Sequence, residues 1–218
     1  MAGTAFVFLN GYYHRGDRLL VNRQLRRRRP RPLIIAVDGG LSFVQRCGLP
    51  PDFWLTDLDS APTIRKGFLS QAQLLLHPSI KDKTDGELAL EFCSRNNLTD
   101  ITIFGWYDSN GETDHLLGNL LLYENHLKGK RPLRVRYLDS RQEIYPVSNE
   151  KQRLVGYRGR RLSVVPISRR IVLTLRGTAF PARELVVNRG QSIALRNRIT
   201  ARQASVTVRG AALILVGE

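Results

Sequence analysis

The chain has 218 residues, of which 42% are hydrophobic, and it carries a formal net charge of +15. That length supports one large domain or two small ones with hydrophobic cores, and no apolar run approaches transmembrane length. Residues 1–10 lack the basic region and long apolar stretch of a signal peptide. Cys47 and Cys93 show no metal-ligand spacing, so we expect free, mostly buried thiols in a cytoplasmic protein without a membrane partner.

Apolar runs alternate with helical patterns through the first two thirds of the chain. The patterns predict strands at 5–9, 33–37, 53–56, 74–76, 100–104 and 134–138, and helices at 17–28, 41–48, 63–73, 84–95 and 116–127. Alternating strands and helices are typical of a parallel sheet covered on both faces. We therefore predict an α/β domain over residues 1–139, with a mostly parallel, doubly wound sheet.

The densest basic run is Arg26–Arg31, at the end of the first predicted helix. A strongly basic chain is compatible with nucleic-acid binding. Aromatic residues are not interleaved with the basic ones, as they are in proteins that bind single strands. We interpret the run as a solvated helix end and predict no specific nucleic-acid partner. A positive surface also attracts anionic substrates such as nucleotides.

Helical periodicity ends near residue 139. Short alternating segments separated by glycines follow at 143–147, 161–166, 171–176, 185–188, 192–197, 205–209 and 211–216. Such a series predicts an all-β C-terminal sandwich over residues 140–218.

Acidic residues follow two of the predicted strands of the first domain. Asp38-Gly39-Gly40 follows one strand, and Asp57-Leu58-Asp59 follows the next. Residues two apart on an extended chain point the same way, so Asp57 and Asp59 place two carboxylates together. Open α/β sheets bind ligands at this end, and Mg²⁺ typically takes one or two carboxylates plus phosphate oxygens. The alternative interpretation is an Asx-turn that leads into a helix.

A loop with two lysines precedes the helix predicted at 84–95. Thr84 and Glu87 form a capping box at its start. Asp85 is either a third carboxylate for the metal or an acidic residue favoured by the helix dipole. Lys81 and Lys83 are either phosphate ligands or solubilising loop residues.

A last polar cluster precedes the helix predicted at 116–127. It contains Asp114 and His115, and Asn119 shares the face of His115 at a spacing of four residues. A lone histidine at such a place is more often a capping or packed residue than a catalytic one.

These segments, in this order, resemble the thiamine pyrophosphokinase family. The resemblance is carried by Asp38-Gly39-Gly40, by Thr56-Asp57-Leu58-Asp59-Ser60, by Lys81-Asp82-Lys83-Thr84-Asp85, and by Gly111-Glu112-Thr113-Asp114-His115 with Asn119. It extends into the second domain through Gly177–Ala182 and Ser192–Asn197. Each motif is weak alone, but four in order at plausible spacing are a specific signal.

The resemblance implies Mg²⁺- and ATP-dependent transfer of pyrophosphate to thiamine, with AMP as the leaving group, by a homodimer. It implies that Asp57, Asp59 and Asp85 hold Mg²⁺ and that Asp114 orients or deprotonates the attacking hydroxyl. It implies thiamine binding by Phe180, which stacks on the ring at the dimer interface, and by Asn197. The implied contacts to the nucleotide and its phosphates come from Asn10, Asp38, Gly39, Gly40, Lys81, Lys83, Thr84 and His115.

Three positions depart from the family pattern. Thr56 stands where the family has glycine, Glu112 where it has arginine, and Arg196 where it has serine. The changes at Glu112 and Arg196 motivate one alternative, a related kinase that acts on another alcohol. The charge of +15 motivates a second, a non-catalytic nucleotide- or RNA-binding protein on the same scaffold.

Overall fold

The computed structural model describes residues 3–58, 62–77, 83–107, 113–122 and 133–218. The chain divides into two compact units, Met1–Ser140 and Arg141–Glu218. Within the described residues, no helix is long and apolar enough to cross a membrane.

A six-stranded parallel sheet forms the centre of the first unit. Its strands are β1 Gly3–Phe8, β2 Leu33–Val37, β3 Phe53–Thr56, β4 Gln73–Leu76, β5 Leu98–Phe104 and β6 Arg134–Leu138. They lie in the order β6-β5-β1-β2-β3-β4, and every pair is parallel. The predicted N-terminal α/β region with a mostly parallel sheet is confirmed. Strands β2, β3 and β4 lie on one side of β1, and the later strands β5 and β6 lie on the other side. The strand order therefore reverses between β1 and β5.

Helices pack against both faces of this sheet. The described helices are α1 Asp17–Arg27, α2 Gly40–Cys47, α3 Asp85–Arg95 and α4 Thr113–Leu121. Phe6 and Phe8 of β1 share a buried cluster with residues of α1 and α2. The opposite face contacts α3, where the rings of Phe53 and Phe92 lie 4.8 Å apart. This layering follows from the alternation of side chains along each strand.

Local signals account for several of the observed boundaries. The Thr84 hydroxyl caps α3 by accepting the Glu87 N–H at 3.3 Å, as the capping box predicts. Gly48 ends α2 in the left-handed conformation, with φ of 68°. Within the basic run, Arg28 forms an ion pair with Asp100 and Arg31 with Asp52, so part of its charge is neutralised.

Two sequence predictions fail in the described residues, and one strand was not predicted. The helix predicted at 63–73 is wrong, because Gly67 has φ of +76° and the segment forms only isolated turns. The strand predicted at 192–197 is wrong, because a turn closes from Leu195 N–H to the Ser192 carbonyl and Arg196 has φ of 58°. The strand β8, Lys151–Val155, was not predicted. The helix predicted at 116–127 begins earlier, at Thr113, and its residues 123–127 lie outside the described residues.

The second unit consists of two antiparallel sheets. Its strands are β7 Gln142–Ser148, β8 Lys151–Val155, β9 Arg161–Pro166, β10 Arg170–Arg176, β11 Ala182–Asn188, β12 Asn197–Arg198, β13 Gln203–Arg209 and β14 Ala211–Gly217. One sheet has the order β12-β9-β14-β7 and the other β11-β10-β13-β8. Residues from both sheets, among them Leu162, Ile214, Leu173 and Val206, belong to one buried cluster. The predicted β-rich C-terminal part is confirmed.

Both cysteines are free and buried, as the sequence predicts. Burial raises the pKa of the Cys47 thiol to about 11 and that of Cys93 to about 12. Both thiols therefore stay protonated near neutral pH, which suits packing rather than nucleophilic chemistry.

Candidate functional site

The reversal of strand order in the first unit creates a crevice at the carboxyl ends of β1 and β5. Two neighbouring parallel strands whose connections leave in opposite directions cannot be covered by the same helix there. The crevice holds a cavity of about 320 Å³, lined by Leu9, Asn10, Gly11, Val37, Thr84, Asp85, Gly86, Gly105, Tyr107, His115 and Asn119. The lining comes from five separate segments of the chain, so the fold assembles the site rather than any one motif.

Close backbone contact between the loops after β1 and β5 shapes the floor of the cavity. The Tyr12 N–H donates to the Tyr107 carbonyl at 2.7 Å. A Cβ atom at Gly11 would lie 2.0 Å from the Gly105 carbonyl oxygen and 2.5 Å from that of Tyr107. Such distances are impossible for a side chain, so glycine is required at position 11.

The Asp38-Gly39-Gly40 turn packs against the same loop from the other side. A Cβ atom at Gly39 would lie 2.2 Å from Asn10 Oδ1, and one at Gly40 would lie 2.1 Å from the Phe8 carbonyl oxygen. The two glycines let the start of α2 approach the end of β1. The structure thus brings together Asn10, Asp38, Gly39 and Gly40, four of the residues that the sequence assigned to nucleotide contacts.

A second cavity of about 320 Å³ adjoins the first and shares Asn10 and Gly11 with it. Gly39, just before α2, and Ser42 and Arg46 within α2 line this second cavity. The sequence analysis did not single out Ser42 or Arg46. Their spacing of three and seven residues from Gly39 places them on one helix face, and this is the signal that could have found them.

Two other carboxylates, Asp85 and Asp57, lie close enough to perturb that of Asp38. The pKa of Asp38, which is 8% exposed, is raised from 3.8 to about 7. Desolvation is the largest cause, followed by a shared hydrogen bond with Asp85 and the charges of Asp85 and Asp57. Like charges held together in a poorly hydrated place disfavour ionisation. The structure therefore joins Asp57 and Asp85, both predicted metal ligands, with Asp38, which was predicted only to contact the nucleotide.

Thr56, one of the departures from the family pattern, connects this cluster to the loop that follows β3. Its hydroxyl donates to the Asp38 carboxylate, which lowers the pKa of that group. The same hydroxyl accepts the Leu58 N–H at 3.0 Å, and Leu58 has φ of 68°. Thr56 thus holds the turn in which Asp57 sits.

The other predicted polar residues of this unit occupy different places. His115 and Asn119 line the first cavity, and Asn119 donates to the Trp106 carbonyl at 3.2 Å. Asp114 is exposed at the start of α4, and its carboxylate accepts the His115 N–H at 2.9 Å. Lys83 pairs with Glu91 of α3 and is not among the residues that line the cavity. Asp59, Lys81 and Glu112 lie outside the described residues.

In the second unit, Asn197 supports the loop that carries Phe180. The Phe180 ring is exposed, with 74% of its surface accessible, whereas Asn197 is buried. The Phe180 N–H donates to Asn197 Oδ1 at 3.1 Å, and Asn197 Nδ2 donates to the Phe180 carbonyl at 2.7 Å. The Thr178 hydroxyl also donates to that carbonyl, at 3.1 Å. Asn197 therefore fixes the peptide of Phe180 and presents its ring to solvent.

The donor set of the carboxylate cluster suits a hard divalent cation. The Asp38 Oδ1 atom is buried and has no hydrogen-bond partner in the part of the chain that the structure describes. A cation would favour the ionised form of Asp38, which burial and the neighbouring carboxylates Asp85 and Asp57 disfavour. Among the described residues, no three His, Cys, Asp or Glu side chains are arranged to hold a metal by themselves. Mg²⁺ needs only one or two carboxylates when phosphate oxygens supply further ligands.

Comparison with known proteins gives a consistent family signal. Residues 28–134 match the family model described as thiamin pyrophosphokinase, catalytic domain. A search among curated protein sequences finds no significant match.

Solved structures share the fold over nearly the whole chain. The crystal structure of thiamine pyrophosphokinase from Bacillus subtilis superposes with a TM-score of 0.80 at 22% identity, covering 99% of this chain and 98% of that one. The corresponding enzyme from Geobacillus thermodenitrificans gives 0.77 at 20% identity, with 98% and 97% covered. Thiamin pyrophosphokinase from Candida albicans gives 0.75 at 13% identity, with 99% and 89% covered.

The perturbed carboxyl of Asp38 yields a prediction about stability. Because the folded state favours its neutral form, Asp38 costs stability as pH rises from about 4 to about 7, and nothing below that window. Asp38→Asn removes this cost, and asparagine tolerates the local φ of 43°. We expect the variant to be more stable than wild type by about 2–4 kcal/mol at pH 8 and equal to it near pH 4.

Urea denaturation with a chelator present, at several pH values, measures this difference. Asp100→Asn is the control, since Asp100 forms an ion pair with Arg28 and its loss should give no gain. An Asp38→Asn variant that is no more stable than wild type at pH 8 would show that the carboxylates do not repel one another.

Proposed function

Because the chain belongs to the thiamine pyrophosphokinase family, we propose that it transfers the pyrophosphoryl group of ATP to thiamine, giving thiamine diphosphate and AMP. The observation that carries this proposal is the carboxylate cluster of buried Asp38 with half-buried Asp57 and Asp85, beside the cavity at the strand-order reversal. All three lie within the residues that match the family model.

Residues 1–139 form the ATP- and metal-binding catalytic domain in this proposal. The close packing of Gly39 and Gly40 against the end of β1 supports binding of ATP there, because it brings the start of α2 to the cavities that Asn10 lines. The N-terminus of α3, which includes Thr84, favours an anion through its N–H groups. Asp38 and His115 complete the proposed nucleotide contacts.

Mg²⁺ is the proposed metal, held by Asp57, Asp59 and Asp85. Held by these carboxylates, the metal would supply positive charge to offset the negative charge of the phosphate groups during transfer. Asp38 lies against the same cluster, and Thr56 fixes the turn on which Asp57 lies. The residues of this chain therefore orient the carboxylates before any ligand arrives, which reduces the reorganisation needed at the moment of reaction.

The remaining polar residues have proposed roles in proton and phosphate handling. Asp114 orients or deprotonates the thiamine hydroxyl, and its exposure at the start of α4 leaves it accessible to an alcohol. Lys81 and Lys83 contact phosphates. To contact a phosphate, Lys83 must release its partner Glu91. Glu91 would still have a cationic partner, because it also pairs with Arg95.

Residues 140–218 form a β-sandwich that binds thiamine and mediates a homodimer in this proposal. The exposed Phe180 ring supports stacking on an aromatic substrate, and the shared core of the two sheets supports the sandwich. Asn197 was predicted as a direct substrate ligand. Its amide bonds to Phe180 support an indirect role, in which it positions the ring. We place the enzyme in the cytoplasm, with no membrane and no sequence-specific nucleic acid as partners.

One prediction concerns the proposed metal ligands. Asp57→Asn, Asp59→Asn and Asp85→Asn should each lower kcat by about a thousandfold or more, about 4 kcal/mol of lost transition-state stabilisation. A double variant should be little worse than a single one, because the carboxylates act together. Release of AMP from Mg-ATP and thiamine measures activity, and circular dichroism checks folding. Asp100→Asn is the matched control, and near-wild-type turnover by Asp59→Asn would refute the assignment.

Another prediction concerns the exposed ring of Phe180. Phe180→Ala should raise the KM for thiamine about tenfold, because stacking contributes roughly 1–3 kcal/mol, and should leave the KM for ATP unchanged. Asn197→Ala should raise the same KM, and the double variant should be no worse than Phe180→Ala, because Asn197 acts through that ring.

Steady-state kinetics with each substrate varied in turn measures these effects. Val155→Ala is the control, since Val155 is also exposed in the same unit but lies on strand β8, whereas Phe180 lies on the loop before β11. A different result would support the related-kinase alternative. In that case neither variant changes the KM for thiamine, but both lower turnover with another alcohol, which is then the acceptor.

A further inference from the structure

The net charge of the chain resides mostly in the second unit. Residues 141–218 carry 15 basic and four acidic side chains, a net charge of +11, whereas residues 1–140 carry 19 and 15, a net charge of +4. Each unit has 14 arginines, but the second unit has only 78 residues against 140 in the first. Arginine is therefore denser in the second unit, and acidic partners are scarcer.

One face of the sheet β11-β10-β13-β8 concentrates this charge. Along each strand one set of side chains enters the core and the alternate set faces outward. The outward cations, all exposed, are Lys151, Arg153, Arg170, Arg176 and Arg209. The four strands contain one acidic residue, Glu184, and it pairs with Arg209 at 3.0 Å. The other four cations form no ion pair with any described residue, so this face is an unneutralised cationic surface.

The strand register places hydroxyl groups between these cations. Ser205 is paired with Arg153 on one side and with Arg176 on the other, and Thr207 is paired with Lys151. Strand spacing puts the two arginine backbones about 10 Å apart, and Lys151 lies about 7 Å from Arg153 along β8. Three cations thus surround two hydroxyl donors on a flat surface.

We propose that this face binds the phosphodiester backbone of duplex nucleic acid without reading its sequence. Arginine guanidinium groups bind phosphate oxygens through two parallel hydrogen bonds, and hydroxyls add further donors. None of the four strands carries Phe, Tyr or Trp, so the face offers no stacking platform for single-stranded bases. The same lack of aromatic residues, which anchor proteins at membrane interfaces, disfavours insertion into a membrane. This binding is independent of the proposed enzymatic function.

The test compares two triple variants with equal charge. K151Q/R153Q/R176Q removes the cations around Ser205 and Thr207. R158Q/R161Q/R169Q removes three exposed arginines from strand β9 and the turns on either side of it. Fluorescence anisotropy measures binding of each protein to a labelled duplex of about 20 base pairs, between about 50 and 200 mM salt. The matching single strand and vesicles that contain phosphatidylserine serve as competing probes.

We expect the first variant to lose affinity for the duplex at least about tenfold at 50 mM salt. Its slope of log K against log salt should become shallower by about 2.7, since each lost phosphate contact removes about 0.9. The second variant should lose less than about threefold. Equal losses would assign binding to net charge alone and overturn the proposal, as would binding of vesicles or single strands in preference to duplex. Absence of duplex binding by the wild type at 50 mM salt would also refute it.

Discussion

Electrostatic repulsion between one buried carboxylate and its two acidic neighbours is the constraint on which the first unit depends. Asp38, Asp57 and Asp85 come from three separate segments, and the fold holds them together although burial and like charge raise the pKa of Asp38 to about 7. Such an arrangement is unfavourable unless a cation joins it. The surrounding backbone fixes the positions of these carboxylates. Gly11, Gly39 and Gly40 allow main-chain approaches that no side chain could permit, and Thr56 secures the adjoining turn.

The second unit departs from ordinary folding preferences in the opposite sense. It exposes a large aromatic ring and buries an amide side chain beneath it. The buried amide of Asn197 is satisfied by the peptide of Phe180, so its burial is not a penalty. Both units therefore violate the usual partition of polar and apolar groups at the places proposed to meet ligands. Sites where local rules fail while the surroundings compensate are where function is expected.

Much of the fold follows from sequence, because apolar runs flanked by glycine and aspartate identify the buried strands of a parallel sheet. The strands β2 and β3 were predicted with their observed bounds for this reason. The helix predicted at 63–73 failed because apolar spacing alone ignores the left-handed Gly67. Strand β8 was missed because Lys151-Gln152-Arg153 has the composition of a polar loop, although Leu154 in the same strand is fully buried.

The roles of the site residues were harder to predict from the sequence than the positions of the helices and strands. The sequence predicted that Asp38 contacts the nucleotide and that Asp85 binds the metal. It did not predict that they contact each other, because this depends on the strand-order reversal, which local patterns do not encode. Lys83 was predicted as a phosphate ligand, and its pairing with Glu91 depends on where α3 begins. The role of Asn197 needed the loop geometry around Phe180, since an asparagine at a polar position has many possible partners.

The most direct test of the proposed activity follows the phosphorus atoms. ATP labelled at its β-phosphate is incubated with the protein, Mg²⁺ and thiamine, and the products are separated. The proposal predicts that the label appears in thiamine diphosphate, with one AMP released for each molecule formed. Label retained in ADP, with thiamine monophosphate as the product, would contradict pyrophosphoryl transfer. Label that never leaves ATP in the presence of thiamine would contradict thiamine as the acceptor.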